Sequence, residues 1–159
     1  VGSQILWYTE GDLCPWRNRN GGSVVSMQKQ ILAVDDDEQI LFVWRGAFRE
    51  YEDLLVVETA CSGSEALELM AQTAFDLIVT DIRWPGMDGY ELTEAIRQQN
   101  QDVPVIWITG FPNREMEARA PLLGVFRCLS KPMSIAQIRQ VVAQELSLNG
   151  MAAVLPQHQ

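Results

Sequence analysis

Asp81-Ile82-Arg83-Trp84-Pro85-Gly86-Met87-Asp88-Gly89 follows directly on Phe75-Asp76-Leu77-Ile78-Val79-Thr80. The earlier stretch is a short, nearly continuous apolar run, the pattern of a strand buried on both faces of a parallel sheet. The later one carries Pro, Gly and Asp, the residues of turns. Asp81 therefore falls where a strand ends and its loop begins. In open α/β sheets that edge is where ligands bind. A lone carboxylate there serves as a nucleophile, a metal ligand or a helix cap, and capping is the commonest of the three. The rest of the chain decides between them.

On either side, strands alternate with helices. Gln30-Ile31-Leu32-Ala33-Val34 reads as strand one and ends in Asp35-Asp36-Asp37. A helix follows, with Ile40, Leu41, Trp44, Ala47, Phe48 and Tyr51 at helical spacing. Leu54–Val57 is strand two, and Ser62 with Glu65 forms a capping-box pattern before a stripe of Ala66, Leu67, Met70 and Ala71. The run ending at Asp81 is strand three. Gly89 to Gln98 is helix three, with Leu92, Ala95 and Ile96 inward, and Val103–Ile108 is strand four, stopping at Thr109. Helix four, Asn113 to Leu123, is weak because Pro121 should end or kink it. Val125–Leu129 is strand five, followed by Ser130-Lys131-Pro132. Helix five opens at Ser134, with Gln137 completing its capping box; it buries Ile135, Ile138, Val141, Val142 and Leu146 and stops at Asn149-Gly150. Five strand–helix repeats predict an α/β fold: a five-stranded parallel sheet, doubly wound, with helices on both faces.

Residues 1–28 carry no sustained periodicity and read as a disordered leader or a tag-derived stretch, with Met27 as a candidate natural start. Residues 29–148 form the one domain that 159 residues accommodate, and 149–159 are a tail. A net charge of −9 argues against nucleic acid as a direct partner, since phosphate binding needs a basic face. No apolar run approaches the roughly 18 to 20 residues of a transmembrane helix, and the N-terminus has no signal-peptide pattern. Cys14, Cys61 and Cys128 are too scattered for a disulfide framework or zinc site, which points to reduced thiols in the cytoplasm.

The strand ends carry the chemistry. Asp35 and Asp36 close strand one, Asp81 strand three, Thr109 strand four and Lys131 strand five. A parallel sheet brings all of these to one edge. Crowded carboxylates repel unless protons or a cation neutralise them. Oxygen ligands without His favour a hard ion such as Mg²⁺ over zinc. An ammonium and a hydroxyl beside that ion make a cradle for a phosphoryl group, which suggests Mg²⁺-assisted phosphoryl chemistry on a carboxylate. Asp37 reads as a helix cap and stays outside the site. His158, the single histidine, lies in the tail.

Val34-Asp35-Asp36-Asp37-Glu38, Asp81-x-x-x-Pro85-x-Met87-Asp88-Gly89, Ile108-Thr109-Gly110 and Leu129-Ser130-Lys131-Pro132 together resemble the receiver domain of two-component response regulators, over residues 29 to 148. The resemblance implies the flavodoxin-like strand order 2-1-3-4-5. It makes Asp81 the phosphoacceptor, taking its phosphoryl group from a sensor histidine kinase or a histidine phosphotransfer protein. Asp36, Asp81 and the backbone carbonyl of Arg83 would bind Mg²⁺, and Asp35 a metal-bound water. Lys131 would pair with Asp81 and later with the phosphoryl group, to which Thr109 would donate a hydrogen bond. The Lys131–Pro132 bond would be cis. The implied protein is a phosphorylation-controlled module, not an enzyme, that acts in trans on a downstream protein target the chain does not name.

One departure concerns Cys128, where such domains usually carry the Tyr or Phe that turns inward as the threonine moves. Output would then rest on the loop and helix four. Arg83 and Phe111 stand at the pocket rim, where bulk and charge could limit attack by water on the acyl phosphate. A rival reading is a phosphatase of the haloacid dehalogenase type, which also uses Asp, Mg²⁺, Thr and Lys; Asp35-x-Asp37 superficially fits its motif. A pseudo-receiver that binds partners without phosphorylation is a third.

Overall fold

The computed structural model describes residues 28–99 and 102–148. The apolar runs become strands β1 (Lys29–Val34), β2 (Leu55–Ala60), β3 (Leu77–Asp81), β4 (Val105–Thr109) and β5 (Arg127–Ser130). They pair in parallel, as the alternating pattern implied, and in the order β2-β1-β3-β4-β5, as the resemblance implied. Five α-helices alternate with them: α1 (Glu38–Ala47), α2 (Gly63–Gln72), α3 (Gly89–Gln99), α4 (Arg114–Leu122) and α5 (Ile135–Glu145). The leader at 1–28, Gln28 excepted, lies outside the described residues. So do the tail at 149–159 with His158, the stop at Asn149-Gly150, and Cys14.

Side chains alternate across each strand, so the sheet has two apolar faces. Ile31, Ala33, Leu77, Val79, Ile106 and Ile108 face α1 and α5. Leu32, Val34, Ile78, Val105 and Trp107 face α2, α3 and α4. The crossovers wind the helices onto both sides.

Local chemistry starts each helix. Asp37 caps α1 by accepting from Gln39 N at 2.8 Å, with Glu38 in the first turn and Arg45 in the last to match the helix dipole. Ser62 caps α2 by accepting from Glu65 N, but the Glu65 carboxylate reaches back one residue further than a capping box, to Cys61 N at 2.7 Å. Ser134 and Gln137 make the full reciprocal box at α5.

The element ends and some facings differ from the sequence pattern. β2 continues past the apolar run through Glu58 and Thr59, because its backbone ladder with β1 does not depend on side-chain polarity. β4 and β5 begin two residues later than their apolar runs, β4 directly after Pro104. Pro121 lies inside α4 rather than ending it: the helix runs one residue further, to Leu122, and closes with Leu123 N donating to Arg119 O. Ile135 is 45% exposed as the first residue of α5, and Ala71 is exposed near the end of α2, so neither joins the core.

Candidate functional site

Three strand ends converge at the carboxyl edge of the sheet. β1 and β3 are hydrogen-bonded neighbours, with Val34 opposite Thr80, so Asp35 and Asp81 leave the sheet side by side. One carboxylate oxygen each from Asp35, Asp36 and Asp81 lies within 4.8 Å of the others. From β5, Lys131 Nζ donates to Asp35 Oδ2 at 2.8 Å and to Asp81 Oδ2 at 2.6 Å. The Lys131–Pro132 bond is cis. Thr109 ends β4 one residue beyond Ile108, which pairs with Asp81. It is buried, and its hydroxyl oxygen accepts from Phe111 N at 3.1 Å.

The electrostatics follow from stoichiometry. At an effective dielectric of about 20, two like charges 4.8 Å apart repel by roughly 3.5 kcal/mol. Three carboxyl groups crowd together here and the one ammonium reaches two of them, Asp35 and Asp81, so acids outnumber bases at this edge and a divalent cation would complement them. Burial raises the Asp35 carboxyl above its ordinary value, although Lys131 and the Asp37 backbone amide act against the shift. Burial pulls the Lys131 ammonium down, but its hydrogen bonds to Asp35 and Asp81 outweigh it and the net shift is upward. On the α1–α5 side the pair borders a cavity of about 240 Å³ walled mostly by apolar side chains, among them Ile40, Trp44, Val79 and Ile108. That wall keeps the local dielectric low and strengthens the pairing. The all-oxygen donor set of Asp35, Asp36 and Asp81 fits Mg²⁺: Asp36 and Asp81 would hold it, with Asp35 beside them, and it would supply charge neutralisation and a template for a phosphoryl oxygen.

The loop after Asp81 is held by its own backbone. Asp81 Oδ1 accepts from Ile82 N at 2.5 Å and from Arg83 N at 3.2 Å, which leaves Oδ2 to Lys131. Gly86 takes φ +91°, as its turn requires. Gly89 has a different job from the turn its neighbours suggest. It is the first residue of α3, its N–H donates to Ile82 O, and a Cβ there would meet the Asp81 carbonyl oxygen and stand 2.7 Å from Ile82 Cα. The carboxylate at the dehalogenase-like position, Asp37, is spent on capping α1, so that reading gains no support from the geometry.

Sequence reasoning missed the layer behind the loop. Trp107 lies opposite the small Cys128 in the register of β4 and β5 and fills this face of the core. Its indole N–H donates to Thr93 Oγ1 at 2.8 Å, and the Thr93 hydroxyl donates to Gly89 O at 2.7 Å. Tyr90 packs edge-on against Trp107, and Arg119 of α4 lies 4.7 Å over the Tyr90 ring. The one available signal was a Tyr directly after the Asp-Gly of the loop. Cys128 is half-buried and its thiol is pushed up by burial. Among the described residues, no helix is long and apolar enough to cross a membrane.

Comparison with known proteins agrees with this geometry. The family model described as "Response regulator receiver domain" matches residues 31–143. Sensor histidine kinase RcsC of Salmonella typhi is 36% identical over 86 residues, 54% of this chain and 9% of that protein. Response regulator protein PilR of Pseudomonas aeruginosa is 30% identical over 131 residues, 81% of this chain and 28% of that protein. The chain thus spans less than a third of the length of either relative. The solved structure of Vibrio cholerae chemotaxis protein CheY4 superimposes with a TM-score of 0.69 at 27% identity, covering 74% of this chain and 98% of that one. With the acid–lysine edge in the strand order 2-1-3-4-5, the match over residues 31–143 identifies the fold as a signalling module: the chain belongs to the response regulator receiver domain family.

Proposed function

We propose that Asp81 accepts a phosphoryl group from a phosphohistidine on a sensor histidine kinase or a histidine phosphotransfer protein, in the cytoplasm, and that the modified chain changes its affinity for a downstream protein. The observation that carries this reading is the Lys131 ammonium held between Asp35 and Asp81 at 2.8 and 2.6 Å. A carboxylate with one oxygen on backbone amides and the other on a cation is oriented for attack by that second oxygen.

In this reading Asp36, Asp81 and the Arg83 carbonyl would hold Mg²⁺, with Asp35 supporting it through water, and the ion would neutralise charge on the phosphoryl oxygens. An Asp81 oxygen attacks phosphorus, and the bond to the donor's imidazole nitrogen breaks with its electron pair leaving on the imidazole. Lys131 then transfers from the Asp81 carboxylate to the phosphoryl oxygens. The Thr109 hydroxyl, now only accepting from Phe111 N, donates to one of them. The chain assists its own phosphorylation and dephosphorylation and turns over no separate substrate.

The test is incubation of the chain with a small phosphodonor and Mg²⁺, read by intact mass. Native protein should gain one phosphoryl group and Asp81→Asn none. Equal gain in both proteins, or multiple turnover of a simple phosphate ester, would overturn the assignment.

A further inference from the structure

Between the loop that follows Asp81 and α4, a cavity of about 450 Å³ is lined by Arg83, Trp84, Asp88, Tyr90, Glu115 and Arg119. Its walls hold an excess of hydrogen-bond donors. Tyr90 and Trp84 are 5% and 9% exposed, yet neither the Tyr90 hydroxyl nor the Trp84 indole N–H meets a hydrogen-bond partner among the described residues. A buried donor left this way is costly, and an acceptor brought to it recovers the cost. The Arg83 guanidinium makes no ion pair or hydrogen bond among the described residues. Among the described residues Arg119 uses only Nε, on Glu115 at 3.3 Å, while its guanidinium covers the Tyr90 ring. The acceptors on this wall are partly engaged: Asp88 Oδ1 takes Glu91 N, and Glu115 takes Arg119. All four charged groups act on the Tyr90 hydroxyl, which burial pushes above its ordinary value, Glu115 and Asp88 adding to the shift and the two arginines opposing it.

A ligand for this wall must bring acceptors and a negative charge. A carboxylate matches the flat fork of a guanidinium. A phosphate dianion matches the fork as well, but it carries twice the charge beside Asp88, Glu115 and the acidic edge at Asp81, so a monoanion is favoured. The barrier to entry is the Glu115–Arg119 pair, an exposed contact one helical turn long, of a kind that contributes little. We propose that this cavity binds a small organic carboxylate, which replaces Glu115 on Arg119 and accepts from Arg83, Tyr90 and Trp84.

The substitution of one carboxylate for another gives the test opposite signs in two variants. The full chain, labelled with nitrogen-15 and free of Mg²⁺ and phosphodonor, is titrated with sodium propionate against sodium chloride at matched ionic strength. The indole N–H resonance of Trp84, assigned with Trp84→Phe, should move downfield and saturate, while that of Trp107, already bonded to Thr93, stays in place. Glu115→Gln removes the competitor and should tighten binding by about threefold or more; Tyr90→Phe keeps the ring, removes one donor and should weaken it by about threefold or more. Movement of the Trp84 resonance that never saturates, or that chloride reproduces, overturns the proposal. So does one affinity shared by native protein and both variants. Because no phosphoryl chemistry enters the measurement, its result stands apart from the role of Asp81.

Discussion

Both edges of this sheet carry an aspartate–lysine pair between β1 and its surroundings, and the two pairs behave as different objects. At the amino edge Asp76 takes Lys29 Nζ on Oδ1 at 3.1 Å and Gln30 N on Oδ2 at 2.8 Å. The side chains are 34% and 43% exposed, and one acid meets one base. That arrangement is a clasp, closing the start of β1 onto the residue before β3. At the carboxyl edge Lys131 is shared by Asp35 and Asp81, which are 6% and 13% exposed, and Asp36 adds a further acid. The same functional groups become a site when acids outnumber bases in a low dielectric, and a staple when they are matched in water.

Breaking the acidic edge should give the largest effect. Asp36→Asn combined with Asp81→Asn should weaken Mg²⁺ binding on the order of a hundredfold or more by calorimetric titration. Asp76→Asn should leave that affinity unchanged; an equal loss at both edges would erase the contrast. The sign of the Asp35 contribution sharpens it next. A carboxyl whose folded value is raised stabilises the fold fully below its unfolded value, and that contribution is lost as pH rises through the folded one. Asp35→Asn should therefore melt higher than native protein near neutral pH without metal. The gain should shrink as the native carboxyl protonates on acidification, and Mg²⁺ should reverse the order. A melting temperature lowered by the substitution at neutral pH in chelator would contradict this.

Smaller effects belong to the rim. Phe111 is 76% exposed and Arg83 lines the neighbouring cavity. Arg83→Ala or Phe111→Ala should change the dephosphorylation rate severalfold, about 1 kcal/mol in barrier; unchanged rates in both would remove them from water control. The smallest belongs to the clasp. Asp76→Asn should cost about 1 kcal/mol or less by urea unfolding, since the Lys29 pair is exposed and one backbone hydrogen bond is at stake.

The sheet and the acidic edge were legible in the sequence for one reason: each strand overlaps a local apolar run, and each polar group of the edge follows the end of one. Asp35, Asp81, Thr109 and Lys131 could be assembled by counting strand ends. Pairings across the chain were not legible. Thr93 is an ordinary helical residue until Trp107, fourteen positions away, donates to it. Cys128 looked like a loss of an aromatic; the register shows Trp107 beside it, bulk supplied from the next strand. The unpartnered donors of Tyr90 and Trp84 depend on where α4 lies, and α4 was the helix with the weakest pattern, Pro121 included.

Gly89 contributes no functional group, yet the first turn of α3 rests directly on the main chain of Asp81 and Ile82 through it. Helix α3 and the loop after Asp81 are therefore one mechanical part, and a shift in either is felt in both without any side chain to transmit it. Anyone transplanting this acidic rim onto another scaffold would need to move that bare contact along with the carboxylates.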